Sequence, residues 1–172
     1  MSTRVFTTAD THFEHDNILE FCRPQYTTVG QMAEDIIYRW NHVVRPQDIV
    51  YHLGDVALTG GRETKKQAVG EYLQRLNGSL YLIAGNHDQQ WVYQYFDRVF
   101  GVKERKNCIL SHIPVHRSQA DRFRLNIHGH LHNGYIGDGE IPDPFYYCVS
   151  MEQTDFAPVP MADIIQERFH NE

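Results

Sequence analysis

The residues of this chain with chemistry to offer fall in five short clusters, each placed just after an apolar run. Val5-Phe6-Thr7-Thr8 runs into Asp10-Thr11-His12, and the stretch 48–53 runs into Gly54-Asp55. The stretch 80–84 runs into Gly85-Asn86-His87-Asp88, Cys108-Ile109-Leu110 into Ser111-His112, and Leu125-Asn126-Ile127-His128 into Gly129-His130-Leu131-His132. The chain holds 11 histidines in 172 residues, and they concentrate in these clusters. As ligands, Asp10, Asp55, Asn86, His12, His112, His130 and His132 form a mixed oxygen and nitrogen set without thiolates. Such a set suits Mn, Fe, Co, Ni or Zn, and so much imidazole argues against Ca or Mg. The donors exceed the needs of one ion and match two ions that share a carboxylate. Two ions about 4 Å apart clamp the attacking and leaving oxygens of an in-line displacement at phosphorus and acidify a bridging water. The chemistry they permit is phosphoester hydrolysis.

The elements that must position these groups follow from periodicity. A helix is predicted over 31–44, where Met32, Ile36, Ile37, Trp40, Val43 and Val44 recur at helical spacing, with Thr27 or Thr28 as its cap. A second spans 63–76, with Ala68, Val69, Tyr72 and Leu76 apolar, and closes at Asn77-Gly78. Weaker helical patterns cover 89–100 and 161–169, and a late strand is predicted over 145–149. Strands alternating with helices indicate an α/β fold. In open α/β sheets ligands bind outside the carboxyl ends of strands. The five clusters all fall at such ends, so residues remote in sequence are expected to meet in one site.

Composition narrows the function. The length suits one domain with a real core, 1–172, and the apolar fraction of 41% is that of a globular chain. The net charge of −6 counts against a broad nucleic-acid surface, though not against one nucleotide. No apolar run approaches the roughly 20 residues of a membrane helix, and the first residues lack the apolar core of a signal peptide. Cys22, Cys108 and Cys148 show no CxxC spacing, and Cys108 and Cys148 sit in apolar runs as buried thiols. The expected compartment is the cytoplasm, with no membrane partner.

Asp10-x-His12, Gly54-Asp55, Gly85-Asn86-His87-Asp88, His112 and Gly129-His130-x-His132 resemble, in order and character, the five signature motifs of the calcineurin-like metallophosphoesterases. The phrases Asp10-Thr11-His12-Phe13 and Tyr51-His52-Leu53-Gly54-Asp55 are especially similar to small bacterial and phage members. The resemblance implies a four-layer α-β-β-α sandwich of two mixed sheets flanked by helices, without a cap domain, and a dinuclear metal site at the strand carboxyl ends. It implies that Asp10, His12 and His132 bind one divalent ion, that Asn86, His112 and His130 bind another, and that Asp55 bridges them. Mn is the favoured metal, with Fe, Ni, Co and Zn as alternatives. His87 would contact the phosphoryl oxygen or protonate the leaving alkoxide, Asp88 would support it, and a metal-bridging hydroxide would attack phosphorus. The expected activity is phosphodiester hydrolysis on a small substrate, nucleotides included, with phosphomonoesterase or nuclease action and a non-catalytic protein-binding scaffold as alternatives. Protein serine/threonine phosphatases of the superfamily carry Glu where this chain has Asp88, and an Arg-rich stretch where it has Val56-Ala57-Leu58.

The remaining polar residues divide by context. His15, Arg23 and Arg117 are candidate substrate contacts, the arginines as bidentate phosphate ligands. His52 and His128 lie within apolar runs and read as structural. His42, His116 and His170 read as surface residues, and Lys103, Arg105 and Lys106 as an exposed turn.

Overall fold

In the computed structural model, which describes residues 2–169, the apolar runs become strands that lie side by side. The first, β1 (Val5–Thr8), is followed by α1 (Ile18–Cys22), α2 (Val29–Val43), β2 (Ile49–His52), α3 (Glu63–Gln74) and β3 (Ser79–Ile83). Next come β4 (Arg98–Phe100), β5 (Lys103–Arg105), β6 (Cys108–Ser111) and β7 (Leu125–His128). A small hairpin, β8 (Gly137–Asp138) and β9 (Ile141–Pro142), precedes β10 (Tyr146–Cys148), β11 (Val159–Pro160) and α4 (Met161–Phe169).

Two mixed sheets result. The first has the order β11-β1-β2-β3-β4, with β1 to β4 parallel and β11 antiparallel on the edge. The second has the order β10-β7-β6-β5, with β10, β7 and β6 parallel and β5 antiparallel. Alternation along the strands sorts side chains into two cores. Phe6, Val50, Leu80 and Leu82 pack with Met32, Ile36, Trp40, Val69 and Leu73 of α2 and α3. Tyr51 and Ile83 face the other way and join Leu110, Leu125 and Ile127 of the second sheet, with Met161 and Ile164 of α4. The fold is thus two mixed sheets with flanking helices, and no described helix is long and apolar enough to cross a membrane.

The helix ends follow side-chain chemistry. Thr28 caps α2, its hydroxyl accepting from Gln31 N at 3.1 Å. Trp40 Nε1 donates to Asn77 O at 2.9 Å and ties α2 to the turn before β3.

Two expectations need correction. The helical pattern over 89–100 is a 3₁₀ segment, Gln90–Tyr95, followed by β4. The aromatic residues there have low helix propensity, and the open edge of β3 captures the chain: Asp97 N donates to Leu80 O at 2.8 Å and Ala84 N to Phe100 O at 2.8 Å. Lys103 and Arg105 are not in a turn but in β5, antiparallel to β6. The turn is Lys106-Asn107, with φ of 49° and 61°, as a two-residue hairpin of right-handed twist demands. Helix α1 escapes the sequence reading because five residues are too few to display a period. His170 lies outside the described residues.

Candidate metal centre

Parallel strands point the same way, so the loops after β1, β2 and β3 emerge together, and so do those after β6 and β7. Backbone hydrogen bonds lock the loops to one another. Asp10 N donates to Gly54 O at 2.9 Å, His12 N to Asp55 O at 3.1 Å, and Gly129 N to His112 O at 3.1 Å. The two sheets are joined where His130 N donates to the Asp10 carboxylate at 2.9 Å.

The loops are strained where they carry the clusters. Asp10, His12, Asp55, His130 and His132 have φ of 59°, 48°, 57°, 71° and 50°. Each such residue costs on the order of 1–3 kcal/mol and persists only where its surroundings hold it. That conformation turns successive side chains back into one space.

Two groups of donors meet there. The ligating atoms of Asp10, His12 and His132 lie within 4.8 Å of one another, and so do those of Asp55, His112 and His130. Asp55 lies between the groups: Oδ1 is 3.4 Å from His112 Nε2 and Oδ2 is 3.7 Å from His12 Nε2. Asn86 joins the second group, its Oδ1 2.9 Å from His112 Nε2.

The electrostatics fit divalent cations. Asp10 Oδ1 and both His12 ring nitrogens are buried without a hydrogen-bond partner, a costly arrangement that a cation would relieve. Burial pushes the Asp10 carboxyl up to about 6 despite the opposing contact with Ser150. Burial would raise Asp55 too, but the His112 hydrogen bond and charge outweigh it and hold Asp55 well below the usual carboxylate range. Burial and Arg23 drive His12 far down, and burial with His112 lowers His130, so both rings are neutral and can donate lone pairs. The residues present therefore suit two cations.

A cleft of about 580 Å³ opens over the clusters. His12, Asp55, His87, His130 and His132 form its polar floor, and Ile18, Phe21, Leu58 and Leu131 its apolar walls. His15 also lines it, its ring centroid 5.3 Å from that of His12. His87 stands in the opening, with Nε2 3.9 Å from Asp55 Oδ2. Neither lysine nor arginine lines the cleft among the described residues.

Three expected residues do other work. Asp88 does not support His87; its carboxylate accepts from Gly85 N at 2.8 Å, Asp55 N at 3.0 Å and Val56 N at 2.8 Å, pinning the Asp55 loop. Arg23 is no phosphate ligand, being wholly buried and bonded to Thr11 O, Asp10 O and Glu152. Arg117 is exposed, paired with Asp143 at 2.9 Å, and is not among the cleft residues. In a single sequence an arginine near a motif shows its charge but not its direction. His52 and His128 are buried, as read: His52 Nε2 meets Thr11 Oγ1 at 3.0 Å and His128 Nδ1 meets Gly129 O at 2.8 Å.

Two residues escaped the sequence reading. Ser150 Oγ donates to Asp10 Oδ2 at 2.6 Å, and Glu152 Oε1 is 3.0 Å from His132 Nδ1. A signal existed: the strand predicted over 145–149 also runs into a polar cluster, Ser150-Met151-Glu152, a sixth instance of the pattern.

Comparison with known proteins agrees with this geometry. Residues 3–169 match the sequence profile of the calcineurin-like phosphoesterases. An uncharacterized protein of Methanocaldococcus jannaschii is 32% identical over 167 residues, covering 95% of this chain and 90% of that protein. The crystal structure of a protein of unknown function from Aquifex aeolicus superposes with a TM-score of 0.72 at 26% identity, covering 96% of this chain and 100% of that one.

Proposed function

The chain belongs to the calcineurin-like phosphoesterase family and is a metal-dependent phosphoester hydrolase; from that premise we propose that it cleaves small phosphodiesters, nucleotides among them. The observation that carries this choice is the absence of Lys and Arg from the cleft among the described residues. A monoester is nearly a dianion at neutral pH and is held most strongly by a cationic fork. A diester carries one charge and two organic groups. The walls formed by Ile18, Phe21, Leu58 and Leu131 give one of those groups apolar surface to cover.

Asp10, His12 and His132 would hold one ion, Asn86, His112 and His130 the other, and Asp55 both, with Mn favoured by the mixed donor set. The ions, when bound, supply positive charge for the phosphoryl oxygens and lower the pKa of water. The protein's own groups do the rest. Asp88 fixes the backbone of Asp55, Val56 and Gly85 through three hydrogen bonds, and so holds the loop that carries the shared carboxylate. His87, whose backbone N–H is held by Asp55 Oδ1 at 2.9 Å, presents a solvent-open imidazole at the mouth of the cleft. There it can donate a proton to a departing alkoxide or a hydrogen bond to a phosphoryl oxygen.

The test compares bis(p-nitrophenyl) phosphate, cyclic nucleotides and p-nitrophenyl phosphate as substrates of the Mn-loaded protein. Diesters are expected to have the higher kcat/KM, and EDTA to abolish turnover. His87→Ala should lower kcat by roughly 100-fold or more at unchanged metal content. Preference for the monoester would overturn the diester reading, and full activity in EDTA the metal centre.

A further inference from the structure

Behind His132 lies a buried polar chain that belongs to none of the five motifs. His132 Nδ1 stands 3.0 Å from Glu152 Oε1, and the same carboxylate oxygen receives Arg23 Nε at 2.8 Å and Cys22 Sγ at 3.2 Å. The side chains of Arg23 and Glu152 are 0% and 3% exposed. Arg23 Nη1 donates to Thr11 O at 2.8 Å and Nη2 to Asp10 O, so the guanidinium ties Glu152 to the backbone of the first motif.

The chemistry of this chain is directional. An ionised carboxylate only accepts, so the His132 nitrogen facing it must carry the proton. Arg23 Nε, 2.8 Å from Glu152 Oε1, pairs the buried carboxylate with a cation and so favours its ionised form. With Nδ1 protonated, the neutral imidazole keeps its lone pair on Nε2. That nitrogen is the one left for the group it shares with Asp10 and His12.

From this geometry we infer that Glu152 is a positioning residue for the metal centre. It fixes His132 as the Nε2-donating tautomer and sets the plane of its ring, and Arg23 holds the carboxylate in place. The inference rests on the reading of Asp10, His12 and His132 as ligands of one ion. Carboxylates in this relation to a ligating histidine typically contribute 10- to 100-fold in metal affinity. A rival reading makes Cys22, His132 and Glu152 a cation site of their own, since their donor atoms also lie within 4.8 Å of one another. It fits less well. Arg23 already compensates the Glu152 charge, and a cation there would have to displace the proton that joins His132 to Glu152.

The experiment titrates Mn²⁺ into the full chain, stripped of metal, by calorimetry. It also reads the His132 tautomer from two-bond ¹H–¹⁵N spectra of the metal-free protein above the titration range of the ring. Wild type should bind two ions and show Nδ1 protonated. Glu152→Gln should weaken one site by roughly 10- to 100-fold, leave the other unchanged, and give mixed tautomers. Glu152→Gln combined with Arg23→Met removes the buried charge that the single variant strands, and should show the same one-site loss. Cys22→Ser should keep both ions. Equal weakening of both sites, no weakening, or an unchanged tautomer would overturn the role of Glu152. Loss of an ion in Cys22→Ser would overturn it in favour of the rival site. A wild-type chain that binds fewer than two ions would instead sink the dinuclear reading on which the inference rests.

Discussion

The two donor groups that meet at Asp55 are built in different ways. The Asp55 group is braced largely by main chain. His112 Nδ1 donates to Leu53 O at 2.8 Å, Asp55 Oδ1 accepts from His87 N at 2.9 Å, and Asp88 clamps three backbone amides around them. The Asp10 group depends on side chains remote in sequence. Ser150 Oγ donates to Asp10 and Glu152 accepts from His132, while Asp10 Oδ1 and the His12 nitrogens are left without partners. The first is tied across the two sheets through main-chain groups; the second is completed only when the segment after β10 docks against β1. Rigidity in one group and unmet polar demand in the other are both ways to present donors to a cation.

The largest effect should come from breaking what the groups share. Asp55→Asn is expected to lose both ions, to cut hydrolysis by at least about 1,000-fold, and to abolish the rise in melting temperature that metal confers. His132→Ala should lose one ion and keep part of that rise. Metal analysis and calorimetry of the two variants decide the matter. An Asp55→Asn protein that still holds two ions would move the shared role to another residue.

Two glycines separate the groups more finely. A methyl at Gly85 would collide with the Asp55 carboxylate and amide, and one at Gly129 would lie 2.5 Å from Ala9 Cβ and 2.6 Å from Asp10 Oδ2. Each alanine variant should be destabilised by about 1–3 kcal/mol, the usual cost of overpacking. Gly129→Ala should weaken the Asp10 site, so adding it to His132→Ala costs no further ion. Gly85→Ala added to His132→Ala should remove the second ion. Identical metal content in the two double variants would show that the groups are not separable.

The smallest effect lies at the opposite end of β2. Asp48 is buried and accepts from Arg4 N, Arg4 Nε and Arg45 N at 3.0, 3.1 and 3.0 Å. Burial would raise its carboxyl, but the Arg4 and Arg45 hydrogen bonds prevail and lower it to about 2. A folded value below the ordinary one means that the unfolded chain binds the proton more readily. This stability is therefore complete above about pH 4 and is lost as pH falls toward 2. Asp48→Asn should flatten that acid limb of the melting temperature by a few degrees and leave metal content unchanged. An acid limb as steep as wild type would show that Asp48 does not cause it.

Much of this fold is legible because its signals are local. The helix expected over 31–44 forms at Val29–Val43 with Thr28 as cap, since an amphipathic stripe and a hydroxyl at the cap need no long-range partner. The segment 89–100 misleads because its apolar residues fit either period, and the free edge of β3 settles the matter. Arg23 misleads for a related reason. Its charge and its place near a motif are visible, but whether the guanidinium turns to the cleft or to a buried carboxylate depends on Glu152, far along the chain.

The sequence alone determined which residue types carry the chemistry, their order, and their position after apolar runs. Hydrophobic periodicity and donor chemistry are properties of short segments, so the alternation of strands and helices and the mixed ligand set could be read from them. Tertiary structure decided which of those donors face one another, that Asp88 braces the Asp55 loop and not the His87 ring, and that Ser150 and Glu152 stand behind Asp10 and His132. Those assignments depend on left-handed backbone at the loop residues and on side-chain direction across two sheets. Both are set by packing between distant segments, and no local pattern encodes them.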